Sequence, residues 1–177
     1  MTRHVAFLRA VNVGGRTVRK EQLIKAFSSI GLNDISTLKQ SGNVIFDSER
    51  GEKELVPRIM AELQEQLGFE VHTFVRSAIE LEGVVSNDPF KDHGEGTDHL
   101  VTFFSDPPEP FGLALPFIIP GSTAKIVAIR GREAYSETHG GGEGGLPNSF
   151  LEKTFGRKAT TRNINIVREA LERCRSK

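Results

Sequence analysis

Residues 35–47, "ISTLKQSGNVIFD", decide the fold. Residues 35–39 and 43–47 are short strand candidates, and "QSGN" (40–43) between them is a hairpin turn signal. Upstream, residues 4–11 (HVAFLRAV) are almost continuously apolar, as in a central strand covered on both faces. Leu23, Ile24, Phe27 and Ile30 follow at helical spacing, and Gly31 suits the residue just past a helix end. Downstream, Leu55, Ile59, Leu63 and Leu67 run in steps of four toward Gly68, and "VHTFV" (71–75) is a fourth strand. The order β-α-β-β-α-β is the ferredoxin-like split unit. Its antiparallel strands take the order 4-1-3-2, which places "NVGG" (12–15) beside "QSGN" on one edge.

The second half is also mixed. Ser77 and Glu80 form an S-x-x-E capping box, which predicts a helix from Ala78 to about Ser86, broken by "NDPF" (87–90). Residues 99–105 suggest a strand, "DPPEP" (106–110) a connection, and 124–130 with 133–137 a hairpin around Gly131-Arg132. "HGGGEGG" (139–145) is a glycine-rich loop. Helices are expected over 148–155 and 162–173, the latter with Ile164, Val167, Leu171 and Cys174 on one face. The expected fold is therefore α+β: a ferredoxin-like subdomain over 1–76, then a second, smaller α+β subdomain over 77–177. The apolar first strand suggests that the second subdomain covers the first sheet.

At 177 residues the chain can bury a substantial core. No apolar run reaches 18 residues, and the N-terminus lacks the pattern of a secretory signal, so neither a membrane span nor export is expected. Cys174 is the only cysteine, which excludes an internal disulfide and suits a reducing cytoplasm. Net charge is zero, which argues against strong non-specific nucleic-acid binding. The charge is uneven, however. Residues 1–46 hold seven Lys/Arg against two acids, and residues 47–110 hold five against fifteen. A basic N-terminal surface could attract an anion, or it could simply meet the acidic middle of this chain or of a neighbour.

The loop "NVGGRTVRK" (12–20) ends the first strand and opens the first helix. It fits neither G-x-x-x-x-G-K-[ST] nor G-x-G-x-x-G, so Gly14 and Gly15 are first of all turn residues. Helix N-termini favour anions, yet Arg16, Arg19 and Lys20 crowd this one, each unfavourable by about 0.3–1 kcal/mol. An anionic ligand would resolve that conflict, and so would solvent exposure of long side chains.

Four stretches carry a family resemblance: "LRAVNVGG" (8–15), "QSGNVIF" (40–46), "NDPF" (87–90) and "ATTRNINIV" (159–167). In this order they resemble a bacterial family, domain of unknown function 1697, with its LRGINVGG, QSGNVVF, NPF and TTRNWNTV pattern. The resemblance runs from Phe7 to Val167 and implies a ferredoxin-like subdomain followed by a second α+β one. It implies no activity. Arg9, Asn12, Gly14, Gly15, Gln40, Ser41, Gly42, Asn43, Arg162 and Asn163 fit the pattern. Gly144 and Gly145 stand where the family often has Ser-Lys, and Ile164 and Ile166 stand where it has Trp and Thr.

Other chemistry is thinner. "TTRN" (160–163) is expected to open the last helix with Thr160 or Thr161 as its cap, and Arg162 to form a salt bridge or, with Asn163, an anion clamp. Asp88, Asp92, His93, Glu95, Asp98 and His99 cluster without any metal-ligand spacing, and no metal is expected. No G-x-S-x-G is present and no Ser or Cys has a recognisable base, so no catalytic residue is named. The RNP1 pattern is not met, which disfavours RNA recognition by the sheet.

The expectation is a binding protein for a phosphate-bearing or other anionic small molecule, with no cofactor. Its site would use Arg9, Asn12, Gly14, Gly15, Ser41, Asn43, Arg162 and Asn163. The alternatives are an interaction module, monomeric or homodimeric, and an enzyme of unknown reaction at the same edge.

Overall fold

The computed structural model describes residues 1–39, 42–90, 97–109, 112–139 and 147–176. The chain is mixed α+β and divides into two compact units, 1–82 with 169–177, and 83–168.

The first unit contains β1 (Thr2–Leu8), α1 (Lys20–Ser29), β2 (Asn33–Leu38), β3 (Asn43–Ser48), α2 (Glu52–Leu67), β4 (Thr73–Ser77) and the start of α3 (Ala78–Ser86). Its four strands are antiparallel in the order β2-β3-β1-β4, the ferredoxin-like arrangement. Alternation along the strands sends Ala6, Leu8, Val44, Phe46 and Val75 to one face. There they pack with Leu23, Phe27, Leu55, Ile59 and Leu63 of the two helices. The opposite face is also buried: Val5, Phe7, Ile45 and Phe74 are closed to solvent, and Arg76 among them is 1% exposed. Arg76 donates to the Val75 carbonyl at 2.8 Å and lies 3.4 Å from Glu52. Arg3 ties three strands together, with Asp34 of β2 at 2.7 Å and Asp47 of β3 at 3.0 Å.

The helix ends follow their sequence signals. The Gly31 N–H donates to the Ser28 carbonyl and that of Leu32 to Phe27, with Gly31 at φ +79°, a Schellman ending. At α3, Ser77 N–H donates to Glu80 at 2.8 Å, and Glu80 N–H donates to Ser77 Oγ at 3.3 Å, the predicted capping box. β1 is shorter than the apolar run 4–11. The Leu8 N–H donates to Gly42 O and the Arg9 N–H to His72 O, both at 2.9 Å, and Ala10 then turns to φ +56°. Positive φ at an alanine ends extended structure despite the apolar residues beyond.

The second unit holds β5 (Thr97–Phe104), β6 (Phe117–Ile118), β7 (Ala124–Arg130), β8 (Glu133–His139), α4 (Asn148–Phe155), β9 (Ala159–Asn163) and the start of α5 (Ile164–Arg175). Its antiparallel sheet has the order β6-β7-β8-β5-β9. Phe104, Ile126, Ala134, Leu151 and Ala159 form its core. The sequence reading of 160–163 as a helix start is corrected here: these residues belong to strand β9, with Phe103 opposite Thr160 and Val101 opposite Arg162. The physical reason is a buried hydroxyl relay. Thr161 donates to Asn148 Oδ1 at 2.5 Å, and Thr102 meets Thr161 at 2.8 Å. That relay joins β5, β9 and α4, and it needs Thr161 extended rather than at a helix cap. Asn163 takes the capping role, accepting from the Asn165 N–H at 2.9 Å. The glycine loop at 140–146 lies outside the described residues.

His4 makes stability depend on pH. It is 5% exposed, packs edge-on to Phe46 at 5.6 Å, and neither ring nitrogen has a hydrogen-bond partner among the described residues. Burial holds its pKa below the ordinary 6.5, against partial opposition from Glu80 and Asp47. As pH falls through 6.5, the unfolded chain therefore takes up a proton that the folded one refuses. Stability should fall by at most about 1.4 kcal/mol per pH unit until His4 protonates in the fold. Urea denaturation of wild type and His4→Phe from pH 7 to 5 checks this: the difference curve should slope over that window, and a flat one would contradict it.

Candidate functional site

The loop leaving β1 is built by its own polar atoms. Asn12 Oδ1 accepts from the Val18 N–H at 2.8 Å, which closes the loop, and Val18 is buried beneath it. Within it, the Arg16 N–H donates to the Val13 carbonyl at 3.2 Å. The two central residues of that turn, Gly14 and Gly15, have φ of +62° and +80°. Positive φ at both central positions is the requirement of a type I′ turn. A Cβ on either glycine would meet open space, so the need is conformational and not one of close approach.

Arg19 precedes α1 as its cap residue. A guanidinium accepts no hydrogen bond, so only half of a capping box forms: the Gln22 side-chain oxygen accepts from the Arg19 N–H at 2.9 Å. The first turn carries Lys20 and Glu21, 3.8 Å apart and both largely exposed. Arg16 stands over the Phe69 ring at 4.4 Å, a cation–π contact that holds its charge beside the loop.

Between this loop and the end of β2 lies a cleft of about 750 Å³. Its lining draws on two elements: Asn12, Arg16, Arg19, Lys20 and Glu21 from the loop and the start of α1, and Thr37 and Lys39 from the end of β2. Lys39 follows β2 at φ +49° and forms an exposed 3.5 Å pair with Glu169.

The predicted site residues separate by location. Asn12 lines the cleft, with its oxygen engaged by Val18. Gly14 and Gly15 shape the neighbouring turn. Arg9 directly follows β1, its N–H on His72. Asn43 is buried and donates to the Leu38 carbonyl at 3.0 Å, closing the β2–β3 hairpin from below. Gln40 and Ser41 lie outside the described residues. Arg162 and Asn163 belong to the second unit. There Arg162 donates to Thr160 Oγ1 and to the Thr161 carbonyl, both at 2.8 Å, and burial pulls its pKa down to about 10.

Of the 88–99 cluster, residues 91–96 lie outside the described residues. His99 stacks on Phe90 with ring centres 4.2 Å apart, and among the described residues no three His, Cys, Asp or Glu converge on a metal position. Of the cleft's lining, the predicted site contains Asn12; Arg16, Arg19 and Lys20 are noted for their charge but stand outside that site, and Lys39 is missed altogether. Its signal was a lone cation at a hairpin end, which gains meaning only once β2 is seen beside the 12–20 loop.

Fold and cleft together define a two-unit α+β protein whose ferredoxin-like unit opens a basic cleft where β1 passes into α1. The chain belongs to the DUF1697 family, proteins of unknown function, whose pattern matches residues 1–135. No curated protein matches it in sequence. In three dimensions it is similar to the conserved bacterial protein SP0830 from Streptococcus pneumoniae, with a TM-score of 0.71 at 16% identity over 98% of each chain. That likeness extends the fold over both units. Among the described residues, no helix is long and apolar enough to cross a membrane.

The turn assignment is open to test. Gly15→Ala forces a Cβ into left-handed backbone and should cost about 1–2 kcal/mol in chemical denaturation. Gly15→Asn should recover part of that, because Asn tolerates this region. Equal stability of all three proteins would remove the conformational role.

Proposed function

We propose that the protein binds a phosphate-bearing or other anionic small molecule in the cleft between the 12–20 loop and the end of β2. One observation carries the reading: Arg16, Arg19, Lys20 and Lys39 line one cavity, with Glu21 the one acid among its described lining residues and Glu169 paired to Lys39 from outside that lining. Two of these cations, Arg19 and Lys20, sit at the positive end of α1, where each costs about 0.3–1 kcal/mol. Their ion pairs are exposed, and such pairs contribute little to stability. An anion in the cleft would reverse both penalties and collect the first N–H groups of α1. The reading is one of binding, with no reaction and no cofactor assigned. A reducing cytoplasm is the setting that the buried thiol of Cys174 suits.

The double variant Arg19→Glu, Lys20→Glu separates ligand binding from fold. Without ligand it should be more stable than wild type by about 0.6–2 kcal/mol, since acids suit a helix N-terminus where cations do not. Wild type should gain melting temperature with rising inorganic phosphate in low-salt chloride buffer, as any ligand of the folded state requires. The variant should lose that response. An equal response in both proteins would move the site elsewhere, and a flat wild-type response would end the proposal.

A further inference from the structure

Charge from two separate elements lining one cleft says more than charge at one helix end. We infer that the ligand is a small molecule carrying two or more linked phosphates, such as a pyrophosphate or a nucleoside diphosphate, bridged between the start of α1 and Lys39. This rests on the anion-binding reading above and narrows it.

Arg16, Arg19 and Lys20 come from the loop and the first turn of α1, whereas Lys39 comes from a separate element, the end of β2, and lines the same cavity. One tetrahedral anion can be met by one element alone. A cavity of about 750 Å³ falls within the range that holds whole metabolites, and a single phosphate would leave most of it to water. Two linked phosphates can meet cations of both elements, and they answer a local excess of about two positive charges once Glu21 and Glu169 are set against the four cations. The cations are also ready to turn toward a ligand. Lys39 and Lys20 make exposed contacts of 3.5 and 3.8 Å to Glu169 and Glu21, which are easily exchanged. Arg16 uses the face of its guanidinium on Phe69, which leaves in-plane N–H donors for phosphate oxygens. Asn12 and Thr37 supply the neutral polar lining that a sugar or a bridging oxygen would meet.

A nucleic-acid backbone carries linked phosphates too, but it binds through many contacts spread along a surface. Here net charge is zero and residues 47–110 are strongly acidic, so an extended phosphate backbone would meet repulsion as well as attraction. That favours a compact polyanion.

Isothermal titration calorimetry at low salt with phosphate, pyrophosphate and tripolyphosphate tests the inference on the full chain. Pyrophosphate should bind at least about tenfold more tightly than phosphate, the gain of one further charge-assisted contact. Lys39→Asn should bring pyrophosphate close to phosphate affinity while leaving phosphate itself nearly unchanged. Asn suits this variant because it accepts the positive φ at position 39. Equal affinities for phosphate and pyrophosphate, or an unchanged ratio in Lys39→Asn, would overturn the two-element inference and leave the anion site standing. Failure of every anion to bind would remove the anion site as well. A single-stranded oligonucleotide that outcompetes tripolyphosphate would replace the small-molecule assignment.

Discussion

The first unit depends on how β1 is pinned at its end. Leu8 donates to Gly42 on one side and Arg9 to His72 on the other, so the strand is held by both neighbours up to its last residue. The chain then has no third strand to follow and must leave the sheet at once. Ala10 does this with a positive φ, and residues 11–19 form the loop that delivers the chain to α1. Because β1 lies beside β3, and β3 beside β2, that loop emerges next to the β2–β3 hairpin. The cleft is therefore a consequence of strand order. Shifting the β1–β3 register by one residue would turn Ala6 and Leu8 out of the helix-covered core and would move the loop with them.

Within the cleft the local and global preferences disagree. The geometry of the loop is well satisfied: Asn12 closes it, Val18 anchors it in the core, and the glycines meet the φ demands of the turn. Its electrostatics are not. Cations stand at the positive end of α1, and the cap residue is an arginine, which cannot accept from the first N–H groups. A chain selected for stability alone would place Ser, Thr, Asp or Asn there. A stable loop that carries unfavourable charge is the pattern expected when charge serves something other than the fold.

Much of this architecture is legible in the sequence, for definite reasons. The strand pair within 35–47, the i+4 runs of α1 and α2, and the box at Ser77-Glu80 each rest on one local signal, and the structure contains all of them. What sequence misplaced depends on distant partners. Thr160 and Thr161 look like helix caps, and the chain beyond them is indeed helical. Their extended form is decided by β5 and by Asn148, more than ten residues away. The two-residue strand β6 has no periodicity to detect, and it exists only because Ile126 and Lys125 pair with it. The cleft was half visible. Arg16, Arg19 and Lys20 are close in sequence, whereas Lys39 joins them only through the sheet.

A division of labour follows from where the motif residues went. Asn12, Gly14, Gly15, Asn43 and Asn163 all fit the family's pattern, and in this chain each serves the backbone by closing a loop, permitting a turn, holding a hairpin or capping a helix. The cations that line the cleft stand outside those motif stretches. Shape and charge are thus written by different residues. The motif fixes where a cleft forms, through hydrogen bonds that tolerate little change. The charge inside it comes from exposed side chains on that frame, which can be exchanged without disturbing a single one of those bonds. Motif residues that build a frame do not by themselves reveal a ligand, and under the anion-binding proposal any choice of ligand would rest with Arg16, Arg19, Lys20 and Lys39.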